Sequence, residues 1–227
     1  MAYEGPVFDG LRAPVVLFDF DGTVADTKPA IYRFVRAAVA SYGMPEPREE
    51  QLRAMIGPPL VDGFQEAFGV PVERAEELTA TYRAIMEREV TPADYPAFPG
   101  MPELLADLVA GGRRLAVASS RRETSLAPMV AALGLDGRFE AVVGGVDGVR
   151  HTKAESIRAA LAALGASAEQ AVMVGDRRHD VAGAHEVGLP CIGVYTGTAA
   201  PGELEAAGAD AIAHGVDGLR PPLGVGR

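Results

Sequence analysis

Apolar positions follow two different rhythms along this chain. Pro14-Val15-Val16-Leu17-Phe18 is a short continuous apolar run that stops at Asp19-Phe20-Asp21-Gly22. A run of this kind, ended by acids and a glycine, predicts a strand buried on both faces that feeds a loop. The rhythm then changes. From Pro29 to Tyr42, residues Ile31, Phe34, Val35, Ala38, Val39 and Tyr42 recur at helical spacing, and Gly43 is placed to end the helix. Leu60, Val61, Phe64 and Phe68 mark a second amphipathic stretch, and Leu78, Tyr82, Ile85 and Met86 a third. No strand signal interrupts them, so residues 28–95 read as a small helical unit.

After Phe98-Pro99-Gly100 the pattern alternates. Helices are predicted at Pro102–Ala110, Leu126–Leu133, Ala154–Leu164 and Val181–Val187. Strands are predicted at Leu115–Ala118, Ala141–Val143, Ala171–Val174 and Cys191–Val194, with a last short one at Ala211–Ala213. Short apolar strands alternating with helices imply a parallel sheet covered on both faces. The expected fold is therefore α/β. Residues 1–27 and 96–227 form a discontinuous core, and residues 28–95 are inserted into it. Ligands of such sheets bind beyond the carboxyl ends of the strands, so chemistry is expected in the loops after Phe18, Ala118 and Val174.

Composition narrows the function classes. The 227 residues are 48% hydrophobic and 23% charged, a globular balance. Lys plus Arg number 21 against 31 Asp plus Glu, a formal charge of -10, so no basic excess exists for nucleic acid or an anionic membrane. A small anionic substrate needs only a local pocket. The lone Cys191 excludes an internal disulfide and reads as a buried hydrophobe. No 18-residue apolar stretch is present, and the N-terminal MAYEGPVFDGLR carries acids rather than a secretory signal, so the cytoplasm is the expected location. No coiled-coil heptad assigns an oligomeric state.

Four polar clusters carry the candidate chemistry. In the first, Asp19-Phe20-Asp21-Gly22-Thr23-Val24-Ala25-Asp26-Thr27, two carboxylates at i and i+2 leave a buried strand and can face one pocket; solvated turn acids are the plainer reading. An EF-hand loop does not fit, because Gly22 stands at position 4 and Ala30 at position 12. The second, Ser119-Ser120-Arg121-Arg122, offers hydroxyls and backbone N–H groups to an anion, although serines after strands commonly just start turns. The third, His151-Thr152-Lys153, sets a lysine at a helix start, against the dipole. The fourth, Gly175-Asp176-Arg177-Arg178-His179-Asp180, places two more acids after a strand. No phosphate-binding G-x-x-x-x-G-K-[ST] loop and no G-x-G-x-x-G helix start occurs.

In this order the four clusters resemble the haloacid dehalogenase superfamily of phosphohydrolases, from about Val15 to about Asp210. The first is close to that family's D-x-D-G-T-[LV]-x-D-[ST]. Ile56-Gly57-Pro58-Pro59-Leu60, Phe98-Pro99-Gly100 and the stretch from Val174 to Ala184 are most similar to its phosphoglycolate phosphatase-like members. The resemblance implies a Rossmann-like parallel sheet with an inserted α-helical cap, and a Mg²⁺-dependent phosphatase. Asp19 would be the nucleophile that forms an aspartyl-phosphate, and Asp21 would protonate the leaving oxygen and then activate water. Asp19, the Asp21 carbonyl and Asp176 would hold Mg²⁺, with Asp180 orienting Lys153 or bound water. Ser119, Ser120, Lys153 and backbone N–H groups near Gly22 would hold the phosphoryl oxygens. Arg53 and Arg121 are candidates to grip the rest of a small phosphorylated metabolite.

Two departures bear on substrate. Ser120-Arg121 stands where the family often has Asn-Lys, and Tyr195-Thr196-Gly197-Thr198 replaces a Gly-Tyr-Gly turn. Two other readings stay open. A phosphosugar mutase would share all four clusters and need basic groups on its cap, where seven arginines face eleven acids between Pro29 and Tyr95. A catalytically silent binding module would be expected to lack Asp19, Asp21 or Lys153.

Overall fold

The structure, a computed structural model, describes residues 13–226; the N-terminal MAYEGPVFDGLR lies outside them. Among the described residues six strands form one sheet in the order β3-β2-β1-β4-β5-β6, all parallel. They are β1 (Val15–Phe18), β2 (Arg114–Arg122), β3 (Ala141–Gly145), β4 (Ala171–Gly175), β5 (Cys191–Tyr195) and β6 (Ala211–His214). The helices of the alternating part are α5 (Met101–Ala110), α6 (Glu123–Ala132), α7 (Lys153–Leu164), α8 (Arg178–Val187) and the single turn α9 (Glu203–Ala206).

The continuous apolar runs have their cause in this layering. Along β1, Val16 and Phe18 enter one core with α5 and α6, while Val15 and Leu17 enter another with α7 and α8. Side chains of a strand alternate between faces, so a strand covered on both sides needs apolar residues at every position. All four β1 residues are buried.

Between β1 and α5 the chain forms α1 (Lys28–Ser41), α2 (Glu49–Ala54), α3 (Leu60–Phe68) and α4 (Val72–Glu89). These helices share a separate core that contains Phe34, Val35, Leu52, Phe64, Leu78 and Tyr82. Phe34 and Tyr82 meet edge to face, with ring centroids 5.9 Å apart. Helix α2 escapes the sequence reading because Leu52 alone among its residues is buried, too few to show a period. The short α9 likewise buries only Leu204.

One predicted boundary is wrong in an informative way. Ser119-Ser120-Arg121-Arg122 was expected as a loop, yet β2 runs to Arg122. Its pairing with β3 passes from Ala118↔Val143 to Arg122↔Gly145, so β2 spends two more residues than its partner over this span. Such an irregularity bends a strand end and re-aims its side chains. The Ser119 carbonyl is satisfied by the Ser156 hydroxyl of α7 at 3.0 Å.

Candidate active site

The chain steps from β1 to β2 and β3 on one side, then crosses to β4 on the other. The crevice at β1 and β4 is thus the switch point of the sheet, where ligands of such folds bind. Asp19 leaves β1 there, its N–H donating to the Val174 carbonyl of β4 at 2.9 Å. The turn behind it is tight: the N–H groups of Val24 and Ala25 both donate to the Phe20 carbonyl at 3.0 Å. Phe20, Val24 and Ala25 are fully buried in the core beneath. Anchoring these apolar residues leaves Asp19 and Asp21 on the open side.

The structure brings four of the expected side chains together. Lys153 Nζ lies 2.8 Å from an oxygen of Asp19 and 2.8 Å from one of Asp180, and it donates to the Ala118 carbonyl at 3.2 Å. The Lys153, Asp19 and Asp180 side chains are 5%, 4% and 1% exposed, so the ions are desolvated and depend on each other. Burial alone would pull the Lys153 ammonium down, but the Asp180 and Asp19 charges outweigh it and hold it above the usual lysine range. The helix start that carries Lys153 is secured by Thr152, whose hydroxyl accepts the Glu155 N–H while Glu155 accepts the Thr152 N–H.

Asp176 completes the cluster. Carboxylate oxygens of Asp19, Asp176 and Asp180 lie within 4.8 Å of one another. Burial, and then the Asp180 and Asp19 charges, push the Asp176 carboxyl well above the ordinary range. The Asp19 carboxyl is pushed up to about 6, first by burial and then by Asp180 and Asp21, against the pull of Lys153. Hard oxygen donors crowded around excess negative charge fit a divalent cation such as Mg²⁺. Asp180 turns one oxygen to Lys153 and the other to the Arg177 N–H at 3.0 Å, which leaves Asp19 and Asp176 best placed to hold the ion.

Asp176 is positioned by residues to which the sequence reading gives no such role. Thr198 N–H donates to it at 3.1 Å and the Thr23 hydroxyl at 3.4 Å. The Thr196 hydroxyl donates to the Gly22 carbonyl at 2.6 Å. Gly22 has φ +80°, and a Cβ there or at Gly197 would collide with the Asp176 carboxylate. The loop after Val194 is another strand end of the same sheet, so the strand-end rule contained the signal. Arg177 was also missed: it is buried, and its guanidinium donates to Glu203 and to the carbonyls of Arg53 and Ile56. Gly197→Ala is expected to weaken cation binding about ten- to hundredfold by displacing Asp176, measured as the Mg²⁺ dependence of the melting temperature. In the unchanged protein that cation-induced rise should shrink as pH falls through about 6, where Asp19 takes up a proton.

A cleft of about 460 Å³ opens over Asp19, Asp21, Ser119 and Ser120. Its other walls include Ile31, Met55, Ile56, Leu60, Tyr82 and Met86 from the helical unit and Met129 from α6. Ser119 is buried, and its hydroxyl accepts the Arg121 N–H at 3.2 Å. Of the two arginines expected to grip substrate, Arg121 lines the cleft and Arg53 does not. Arg121 forks onto Asp21, at 2.6 and 2.9 Å, because Asp21 is the acid that faces it across the strand ends. Arg53 is absent from the cleft lining; its carbonyl receives Arg177, and its side chain lies by the Tyr32 hydroxyl. No described helix is long and apolar enough to cross a membrane.

The model of the haloacid dehalogenase-like hydrolases matches residues 16–194. A Pseudomonas aeruginosa protein named 5'-nucleotidase is 40% identical over 199 residues, 86% of this chain and 89% of that one. The Mycobacterium tuberculosis protein named tyrosine-protein kinase PtkA is 35% identical, over 95% of this chain and 74% of that one. A solved structure described as a predicted phosphatase from Clostridium acetobutylicum superposes with a TM-score of 0.86 at 32% identity, covering 90% of this chain and 95% of that one.

Proposed function

The chain belongs to the haloacid dehalogenase-like hydrolases and is a hydrolase of phosphoric monoesters, and from that membership we propose that it is a Mg²⁺-dependent phosphatase working through an aspartyl-phosphate on Asp19. The observation that carries the reading is Asp19, Asp176, Asp180 and Lys153 meeting at the ends of β1 and β4, beneath a cleft that reaches solvent.

Asp19 attacks phosphorus, and the bond to the leaving oxygen breaks. Asp21 supplies that oxygen with its proton. In the second half Asp21 takes a proton from water as the water attacks the acyl phosphate and frees Asp19. Because Arg121 holds both Asp21 oxygens, the leaving group and the water must compete with that fork. Lys153 fixes the Asp19 carboxylate for attack, and Asp180 fixes Lys153. Ser119, Ser120 and the N–H groups near Gly22 receive the phosphoryl oxygens. Asp19, the Asp21 carbonyl and Asp176 would hold Mg²⁺, which neutralises the repulsion between an anionic nucleophile and an anionic ester. The helical unit, residues 28–95, serves as a cap that excludes water.

The test is phosphate release from a panel holding 2-phosphoglycolate, a nucleoside 5'-monophosphate, a sugar phosphate and 4-nitrophenyl phosphate, with Mg²⁺ and with a chelator. Mg²⁺-dependent release of phosphate and alcohol in equal amounts supports the reading; no release from any ester overturns it. The likeness to a protein named tyrosine-protein kinase favours a second reading, transfer to a protein hydroxyl instead of water, and phosphate appearing on protein tyrosine would support that one. An isomeric sugar phosphate as product would instead indicate a mutase.

A further inference from the structure

We propose that the ester's leaving group is neutral, mainly apolar and considerably larger than a two-carbon acid; this rests on the phosphatase reading above and names its substrate class. Two observations carry it.

The first is charge. Four arginines line the cleft, Arg83, Arg121, Arg122 and Arg150, and every one already faces a carboxylate. Arg121 is forked onto Asp21, with both side chains largely buried at 9% and 13% exposure. Arg83 and Arg122 share the single carboxylate of half-exposed Asp147, and Arg150 lies 2.9 Å from Glu123. The lining acids Asp19, Asp21, Glu87 and Asp147 match the four arginines in number. A carboxylate or a second phosphate close to the scissile ester would draw Arg121 from its partner and strip a nearly buried Asp21 of its counter-charge. A neutral leaving group still meets the Arg121 fork at Asp21, but it offers none of the arginines a rival charge.

The second is shape. About 460 Å³ is the size of site that encloses a ligand of many heavy atoms. The apolar part of the lining includes Ile31, Met55, Ile56, Leu60, Met86 and Met129. Hydrocarbon gains by leaving water for such a surface, and a carboxylate loses. Unbranched methionine side chains adapt to ligand shape, so the walls suit a range of apolar groups rather than one outline.

The test is kcat/KM for phosphate release, with Mg²⁺, from ethyl, butyl and hexyl phosphate, and from 2-phosphoglycolate beside its neutral amide. The alkyl alcohols differ little in acidity, so the trend reports the walls. We expect kcat/KM to rise about twofold or more per methylene, and the amide to exceed the acid about tenfold. Leu60→Asp is expected to lower hexyl phosphate turnover more than ethyl phosphate turnover. A flat or falling trend with chain length, or preference for the acid over the amide, overturns this inference and leaves the phosphatase standing. No release from any of these or from 4-nitrophenyl phosphate overturns the phosphatase reading and this inference with it.

Discussion

Replacing Asp19 by Asn is expected to lower Mg²⁺-dependent phosphate release about a thousandfold or more, since an amide oxygen cannot take the place of the attacking carboxylate. The same substitution should leave the fold intact and, without cations, make it more stable at neutral pH. Asn keeps the shape and can still accept from Lys153. It also removes one of the buried negative charges that crowd Asp176 and Asp180. The sign follows from the Asp19 carboxyl, raised to about 6 in the folded chain from an ordinary 3.8. Between those values the folded state binds more protons than the unfolded one, so this residue's contribution to stability falls as pH rises through the window. Urea unfolding in a chelator, at about pH 5 and about pH 7.5, should show the Asn variant gaining on the unchanged protein mainly at the higher pH. Retained turnover in the variant would remove Asp19 from the chemistry.

Lys153→Met is expected to do the opposite to stability and the same to turnover. Its ammonium lies between two carboxylates that are almost wholly out of water. Breaking such a pair from one side leaves uncompensated buried charge and costs about 3–5 kcal/mol. The loss should be largest in cation-free protein at neutral pH and smaller in acid, where Asp19 is protonated. Adding Asp180→Asn to Lys153→Met should recover much of the stability, because it removes the charge left stranded, while phosphate release stays low. Recovery of turnover together with stability would reduce Lys153 to a structural ion. Chemical denaturation and phosphate release on the two single variants and the double variant measure both effects.

Much of the architecture was legible in the chain because strong periodic patterns leave few alternatives. Apolar runs such as Val15–Phe18 and Ala171–Val174 have no exposed position, and only a sheet covered on both faces accommodates that. What escaped were elements with little to bury: α2 on Leu52, α9 on Leu204. The extension of β2 through Ser119–Arg122 escaped too, since an irregular pairing edge has no hydrophobic period to announce it.

The candidate site divides in the same way. Motif order, through the family resemblance it carries, singled out Asp19, Asp21, Ser119, Lys153, Asp176 and Asp180; each group follows a buried strand or opens a helix, and parallel strands end on one side of their sheet. Partnership was decided only by the folded molecule. Lys153 bridging Asp19 and Asp180, Thr198 and Thr23 steering Asp176, and Arg121 forking onto Asp21 join residues between 22 and 153 positions apart in sequence. Local pattern records which surface a residue must bury, whereas the partner of a buried charge depends on which distant strand end lies within about 3 Å of it. For that reason the sheet and the kinds of group at its carboxyl edge followed from the sequence, whereas the hold of Arg121 on Asp21 came from tertiary contacts.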